Sequence, residues 1–294
     1  MINTVLVAGY PKSGNTLLGS TFSLAGNICD SGYDVKSLFD IYTIRRKQMS
    51  DAEYHPRANP FFPGSQVHIK THESFRRWDL DNMYFGDTNK VIVISRNPFD
   101  TFLSSLNFLR AIVKLSGAIT QPVSETLRKL SPASAFPDNP NQFVSDFTLE
   151  NLKRENLLDD MFVEYANIGT AFSAFMDMSS PWALFSYSYN FCEKPVCRIK
   201  FEDLSSGYLD DYKKISDKIG GFLECDPFVL EKSFQLQRNS ALERQKEGSI
   251  FFSKVASEYY LHYLSKSSLK YFCSLYQATM IDLEYTEILD SLCK

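Results

Sequence analysis

The sequence lacks several features that define large classes of proteins. No apolar run approaches the ~20 residues that span a bilayer, and 31 Lys and Arg residues stand against 35 Asp and Glu residues, a formal net charge of −4. The 294 residues include only 13 Gly and 12 Pro, below the average shares of about 7% and 5%. These absences exclude collagen-like, disordered and generally basic polymer-binding proteins. They predict a soluble, cytoplasmic protein that binds neither nucleic acid nor membranes.

Cysteine spacing excludes the common metal and disulfide frameworks. The six cysteines are scattered, and the closest pair, Cys192 and Cys197, has four residues between its members. Zinc sites and small disulfide scaffolds need closer, repeated spacings. We therefore predict free thiols and no metal.

What the chain does contain is an alternation of short apolar runs with helix-like stretches. Four β-branched runs are followed by turn residues and then a helical pattern: Thr4–Ala8, Gln66–Lys70, Lys90–Ser95 and Val196–Phe201. This alternation predicts an α/β fold with a central, mainly parallel sheet flanked by helices. Within Lys90–Ser95, the residues Val91–Ile94 are apolar on both faces, so this run should be a central strand. Ligands in such folds bind at the carboxyl ends of the strands.

Residues 110–190 carry apolar residues at helical spacing and no strand signal. We predict a helical insertion here that roofs an acceptor site together with the aromatic segment Asn59–Pro63. The C-terminal third also reads as helical, with a helix stop at Gly220-Gly221 and a helix over Lys266–Leu275. No repeat or linker is visible, so residues 1–294 are predicted to form one domain.

The first strand leads into a candidate anion-binding loop. Gly9-Tyr10-Pro11-Lys12-Ser13-Gly14-Asn15-Thr16 precedes an apolar helical run that begins at Leu17. Glycines let successive N–H groups point inward, and a helix N-terminus adds partial positive charge. The lysine precedes Gly14, unlike the Gly-Lys-Ser/Thr order of an NTPase loop. Taken alone, the fragment is equally compatible with an ordinary strand–turn–helix.

The third strand ends in a second candidate anion site. Arg96 follows it, and Asn97-Pro98 has the residue types of a helix N-cap and first helical position. Arginine at such a point can bind a phosphate through two parallel hydrogen bonds. By itself, an arginine there is more often a surface salt-bridge partner. Asp100 and Ser104 follow at helical i, i+4 spacing.

The second strand offers a candidate base. His68, Lys70 and His72 alternate along Gln66–His72 and therefore share one face of a strand. An unperturbed histidine pKa near ~6.5 allows proton acceptance at neutral pH. For His68 a structural role is the favoured interpretation.

These three motifs together resemble the family of sulfotransferases that use 3′-phosphoadenosine 5′-phosphosulfate (PAPS), of the cytosolic or bacterial small-molecule type. Pro11-Lys12-Ser13-Gly14-x-Thr16 is similar to the family's 5′-phosphosulfate loop. Arg96-Asn97-Pro98-x-Asp100 with Ser104 is similar to its 3′-phosphate motif, and Lys70-Thr71-His72 to the segment that carries its catalytic base. The resemblance implies a P-loop-like fold, PAPS as donor, catalytic roles for Lys12, Lys70 and His72, and a 5′-phosphate site. That site would comprise Pro11, Lys12, Ser13, Gly14, Asn15, Thr16 and Leu17.

Three positions depart from the family pattern. Asn15 stands where cytosolic members usually have Thr, Leu17 where they have a Trp that stacks on adenine, and Glu73 where they have Leu. Arg96 and Ser104 are expected to hold the 3′-phosphate.

Weaker similarities occur toward the C-terminus. Phe201 replaces the Tyr of a Tyr-Glu-Asp-Leu motif, and Ser233-Phe234 resembles a pair whose ring lies near adenine, although either ring could belong to the core. Phe252, Ser253 and Lys254 align with a 3′-phosphate loop that lacks its usual Arg. Arg238 or Arg244 could supply that charge.

The resemblance implies transfer of a sulfonate group from PAPS to a hydroxyl or amine of a small molecule, by in-line attack with a histidine base. We expect a neutral or cationic acceptor, such as a natural-product alcohol or amine, and a monomer or homodimer. Two alternatives stay open: an NTP-dependent kinase with a variant phosphate loop, and a non-catalytic nucleotide-binding module on the same fold.

Overall fold

The computed structural model describes residues 3–31, 66–72, 74–75, 88–131, 135–175, 180–205, 209–246 and 259–293. Its strands are β1 (Asn3–Gly9), β2 (Gln66–Thr71), β3 (Thr88–Ser95) and β4 (Val196–Lys200). Its helices are α1 (Asn15–Ser31), α2 (Pro98–Ser116), α3 (Gln121–Leu130), α4 (Pro140–Asp146), α5 (Leu149–Arg154), α6 (Leu157–Ile168), α7 (Trp182–Ser188), α8 (Phe201–Ser205), α9 (Leu209–Leu223), α10 (Pro227–Lys246), α11 (Tyr260–Tyr263), α12 (Lys266–Asp282) and α13 (Thr286–Cys293).

The strands form a parallel sheet in the order β2-β1-β3-β4. In register, Ala8 pairs with Thr71, Gly9 with Ile94 and Ser95 with Lys200. The four carboxyl ends therefore lie along one edge of the sheet. The α/β prediction with a parallel sheet is confirmed.

β3 is an interior strand, and its apolar residues are buried on both faces. Ile92 and Ile94 share a core with α1, α9 and α10, to which Phe22 and Ile219 belong. Val91 and Val93 point to the opposite face and are also buried. Continuous apolar character is the expected signature of a parallel strand covered on each side.

The chain divides into two compact units. The first consists of Met1–Arg96 and Ser188–Arg244 and holds the whole described sheet. The second consists of Asn97–Tyr187 and Gln245–Lys294. The prediction of one domain over residues 1–294 stays a prediction.

The described part of the second unit is helical, as predicted for residues 110–190 and for Lys266–Leu275. Its core is aromatic: Phe99, Phe102, Phe162 and Phe272 are buried, and the ring centroid of Phe162 lies 5.1–5.8 Å from those of the other three. Offset and edge-on ring pairs add to the free energy gained from burial itself.

The predicted helix stop at Gly220-Gly221 is wrong, because α9 continues through both glycines to Leu223. Ile219 and Leu223 are buried on the face that packs on the sheet, and this burial outweighs the low helix propensity of glycine. A Cβ on Gly220 would lie 2.9 Å from Cγ of Pro227, so glycine permits close packing there. The helix ends one residue before Glu224, which has a left-handed φ of 60°.

The predicted fourth strand also ends one residue early. Phe201 begins α8 instead of closing β4. Among the described residues, no helix is long and apolar enough to cross a bilayer.

Candidate active site

The loop between β1 and α1 is held in an unusual backbone conformation. Lys12 has a φ of 69° and Gly14 a φ of 101°, both in the left-handed region. The N–H of Ser13 donates to the carbonyl of Tyr10 at 3.0 Å, and the N–H of Leu18 donates to the carbonyl of Gly14 at 3.0 Å. The loop thus closes a tight turn and passes directly into the first turn of a 17-residue helix.

Gly14 is required by packing as well as by φ. A Cβ at this position would lie 2.4 Å from Cδ2 of Phe201 and 3.0 Å from Cδ1 of Ile94. The first residue of α8 therefore closes over the loop. No larger residue fits without moving the Phe201 ring.

The other loop residues differ in exposure. Pro11, Ser13 and Asn15 are buried, Lys12 and Leu17 are half-buried, and Thr16 is exposed. The Oγ of Ser13 is buried and has no hydrogen-bond partner among the described residues. A buried hydroxyl without a partner costs free energy, and a bound anion would offset that cost.

His72 lies directly after β2, and its ring is fixed to the end of β1. Its Nδ1 lies 2.8 Å from the carbonyl oxygen of Gly9. The Nδ2 of Asn15 lies 3.0 Å from the same oxygen and 3.3 Å from Nδ1 of His72. The predicted base is therefore in contact with the predicted phosphate loop through Asn15 and Gly9.

Arg96 lies at the carboxyl end of β3 and faces the same loop. Its Nη1 donates to the carbonyl of Lys12 at 3.2 Å. Its guanidinium carbon lies 4.4 Å from the centroid of the Phe201 ring. Arginine stacks on aromatic faces in this way because of the negative face of the ring. Arg96 thus holds the left-handed turn at Lys12 and packs on the residue that covers Gly14.

Phe234, the second candidate for adenine contact, belongs to the core cluster of the first unit against which Phe201 and Leu17 pack. Its ring is buried in the core and stacks on Tyr212, with centroids 6.2 Å apart and planes 10° apart. Burial raises the pKa of Tyr212, and a hydrogen bond and the charge from Arg238 partly offset this. Arg238 is therefore a neighbour of Tyr212.

A carboxyl group follows the end of β4. Asp203, in the first turn of α8, is half-buried, and burial raises its pKa while the charge of Lys200 opposes the shift.

The residues after Arg96 begin the second unit with the predicted helix cap. Asn97 is the N-cap of α2, and its Oδ1 accepts from the N–H of Asp100 at 2.8 Å. Asp100 is buried, and its Oδ1 accepts from the N–H of Tyr260 at 3.0 Å. Asp100 therefore anchors the start of α11. Ser104 lies half-buried in α2, within this second unit.

Several predicted site residues lie outside the described part. Phe252, Ser253 and Lys254 are among them, as are the segment Asn59–Pro63 and the side chain of Lys70, whose backbone lies in β2 opposite Val7. In the described ranges no cluster of three metal-ligating side chains occurs.

Sequence reasoning missed two contacts that build the site. Gly9 and Asn15 contact Nδ1 of His72, and the ring of Phe201 covers Gly14. A glycine at the last position of a buried strand was the available signal for the first contact, since glycine there often marks the close approach of another group.

The comparison with protein families gives one match. The model of the family described as sulfotransferase domain matches residues 3–284 of the 294. No curated protein matches the chain. The match covers the β1 loop, His72, Arg96 and Phe201, and it extends over both compact units. The chain therefore belongs to the sulfotransferase domain family.

Proposed function

We propose that this protein transfers the sulfonate group of PAPS to a hydroxyl or amine of a small molecule. The family supports sulfonyl transfer in general. The observation that supports PAPS as donor and a histidine base is that three strand ends meet in the first unit. The carbonyl of Gly9 contacts His72, and the carbonyl of Lys12 accepts a hydrogen bond from Arg96. This geometry supports the proposal that one edge of the sheet carries a phosphate loop, a base and a fixed cation.

The loop residues fit the 5′-phosphate of PAPS. The buried Oγ of Ser13, the left-handed turn at Lys12 and Gly14, and the N-terminus of α1 together favour an anion. We propose that Pro11, Lys12, Ser13, Gly14, Asn15, Thr16 and Leu17 hold that phosphate. When bound, PAPS supplies an activated sulfonate whose departure leaves a phosphate.

His72 is proposed as the base that takes the proton of the acceptor as its oxygen or nitrogen attacks sulfur. Lys12 and Lys70 are proposed to stabilise the charge that develops on the sulfonate and on the bridging oxygen. Fixed cations are effective here because they need no reorganisation during the reaction. The transfer itself then depends mainly on positioning and charge, as in phosphoryl transfer.

For the 3′-phosphate of the nucleotide we propose Arg96 and Ser104, together with Phe252, Ser253 and Lys254, because of the motifs in the sequence. Among the aromatic candidates for adenine, Phe201 is favoured over Phe234, because its half-buried ring contacts the phosphate loop, whereas Phe234 is stacked inside the core.

The acceptor is proposed to be neutral or cationic, because the chain carries a net charge of −4. A natural-product alcohol or amine meets this description. Cytoplasmic location, a monomeric or homodimeric state and the lack of nucleic-acid or membrane partners stay predictions.

Cofactor binding is tested by thermal denaturation with the desulfated nucleotide PAP. A ligand at 100 times its Kd stabilises the native state by about 2.7 kcal/mol, so a clear rise in Tm is expected. Lys12→Ala should lose most of this rise, and Lys213→Ala, which removes an exposed lysine of α9, should keep it. Stabilisation by ATP with Mg²⁺ but not by PAP would favour the kinase alternative and overturn the proposal.

Turnover is tested with sulfur-labelled PAPS and a panel of phenols, alcohols and amines. On an acceptor that the wild type sulfates, His72→Ala should lower kcat by roughly 10²–10⁴-fold, the usual contribution of a general base. An unchanged rate would show that His72 is not the base. PAP binding without transfer to any acceptor would favour the non-catalytic module.

A further inference from the structure

The carbonyl oxygen of Gly9 receives two side-chain donors. Nδ2 of Asn15 lies 3.0 Å away and Nδ1 of His72 lies 2.8 Å away. A carbonyl oxygen has two lone pairs and can only accept. Both side chains must therefore present an N–H group to this one atom.

This requirement fixes the tautomer of His72. In the neutral imidazole one ring nitrogen carries the proton and the other is the acceptor. If Nδ1 carried the lone pair, two electron-rich atoms would face each other at 2.8 Å. The proton therefore lies on Nδ1 in the neutral ring, and the basic lone pair lies on Nε2.

The orientation of the Asn15 amide follows from the same oxygen. With the amide reversed, Oδ1 would face the Gly9 carbonyl at 3.0 Å, acceptor against acceptor. Nδ2 of Asn15 and Nδ1 of His72 lie 3.3 Å apart. Both are donors to the same acceptor, so they form no hydrogen bond to each other. Asn15 acts on His72 through the Gly9 carbonyl.

We propose that Asn15 and the Gly9 carbonyl are a positioning pair that holds His72 with its proton on Nδ1, so that Nε2 is the nitrogen that accepts the proton of the acceptor substrate. The proposal deepens the proposed function and rests on it for the role of His72 as base. Asn15 is a positioning residue in this proposal, separate from any contact it makes with a phosphate.

Glycine at position 9 is coupled to asparagine at position 15. A Cβ on Gly9 would lie 2.0 Å from Oδ1 of Asn15 and 2.6 Å from Cγ2 of Ile94. The carboxamide thus lies directly over the end of β1, in space that only glycine leaves open. Threonine at position 15 would carry no amide N–H, and its one side-chain donor would be a hydroxyl group on a shorter side chain.

The first test reads the tautomer directly by long-range ¹H–¹⁵N NMR of the imidazole rings, in the protein without ligand at about pH 8, above the ordinary histidine pKa of about 6.5. The chain has four histidines, and His72→Gln identifies the His72 signals by their loss. We expect a protonated Nδ1 and an unprotonated Nε2. A proton on Nε2, or an even mixture of tautomers, would overturn the proposal.

The second test removes the amide. Asn15→Ala and Asn15→Thr should shift the His72 signals toward a mixture of tautomers and lower kcat by about tenfold, less than the ~10²-fold or more lost with the base. Asn141→Ala, an exposed asparagine of α4, is the matched control and should change neither. If Asn15→Ala weakens PAP binding but leaves the tautomer unchanged, Asn15 contacts only the nucleotide and the proposal is wrong.

The spectra separate this proposal from the proposed function. They need neither PAPS nor an acceptor, so the tautomer is measured even if no sulfonate transfer is found. Transfer by a wild-type enzyme whose His72 carries its proton on Nε2 would leave the proposed function intact and overturn only the positioning pair.

Discussion

The strand ends of the first unit and the core of the second unit use opposite kinds of interaction. The β1 loop has two residues with left-handed φ, a buried serine hydroxyl and a carbonyl that accepts from two side chains. The core of the second unit consists of aromatic rings packed on one another, with Phe162 at its centre. One region places polar groups in specific directions, whereas the other excludes water.

This difference separates the region that stabilises the fold from the region that binds ligand. Burial of the rings gains roughly 25 cal/mol for each Å² of apolar surface removed from water, and this hydrophobic contribution has no preferred direction. The loop depends on single hydrogen bonds and on a left-handed backbone conformation at Lys12 that costs about 1–3 kcal/mol. We therefore expect changes in the aromatic core to act on unfolding and changes in the loop to act on ligand binding.

The largest effect on stability is expected from Phe162→Ala. This ring is completely buried, and its loss should lower the free energy of unfolding by about 3–5 kcal/mol, measured by urea denaturation. The affinity of the remaining native protein for PAP should stay within about threefold, a change of roughly 0.6 kcal/mol.

Phe228→Ala is the control for this prediction, because the Phe228 side chain is 65% exposed. It should change the unfolding free energy by about 0.5 kcal/mol or less. If Phe162→Ala lowered the free energy of unfolding as little as the control does, the aromatic core would not be a main source of stability.

An intermediate effect on stability, with a large effect on binding, is expected from Gly14→Ala. The left-handed backbone costs roughly 1–2 kcal/mol for a residue with a Cβ, and the new methyl group also meets the Phe201 ring. PAP binding should be lost or strongly weakened in calorimetric titration, while the folded protein persists.

Gly117→Ala separates the two causes. Gly117 also has a left-handed φ, of 64°, but a Cβ there would meet nothing within 4 Å. Gly117→Ala should lower the free energy of unfolding only by the roughly 1–2 kcal/mol of the left-handed backbone. It should leave PAP binding unchanged. Equal effects of the two variants on binding would contradict the claim that the loop geometry around Phe201 is specific.

The smallest effect is expected at the opposite end of β3, where Lys90 donates to Glu224 and to the carbonyl of Phe222, each at 2.8 Å. The hydrogen bond and charge of Lys90 lower the pKa of the exposed Glu224 carboxyl. A lowered pKa in the folded state means that this stabilisation is present above the unfolded pKa of about 4.3. It is lost as the pH falls through the folded pKa.

Glu224→Gln should therefore lower Tm slightly at pH 7 and have no effect in strong acid, and salt should reduce the difference at pH 7. A larger effect in acid than at neutral pH would reverse the assigned direction. Because this pair lies far along β3 from the loop, PAP binding should be unchanged.

The sequence predicted the sheet well because buried parallel strands leave a pattern that needs no tertiary information. Val91–Ile94 are all apolar, and they lie in an interior strand. The cap of α2 was equally local, since Asn97 and Pro98 act on the four residues that follow. The prediction of a helix stop at Gly220-Gly221 was wrong because burial of Ile219 and Leu223 in the core outweighed the low helix propensity of glycine.

The candidate site was predicted only in part, because its contacts join distant residues. The residue types of Lys12, His72 and Arg96 and their positions after strands were visible in the sequence. That Asn15 and Gly9 orient His72 depends on 63 residues of chain returning to the same strand edge. The stacking of Arg96 on Phe201 joins the end of β3 to the start of α8 in the same way.

The sequence by itself determined the periodicity, the apolar strands and the loop chemistry, because these depend on residues close together in the chain. Only the tertiary structure decided which nitrogen of His72 is basic and which ring covers Gly14. Directional hydrogen bonds act over about 3 Å, and the distances between residues far apart in sequence are set by the fold alone.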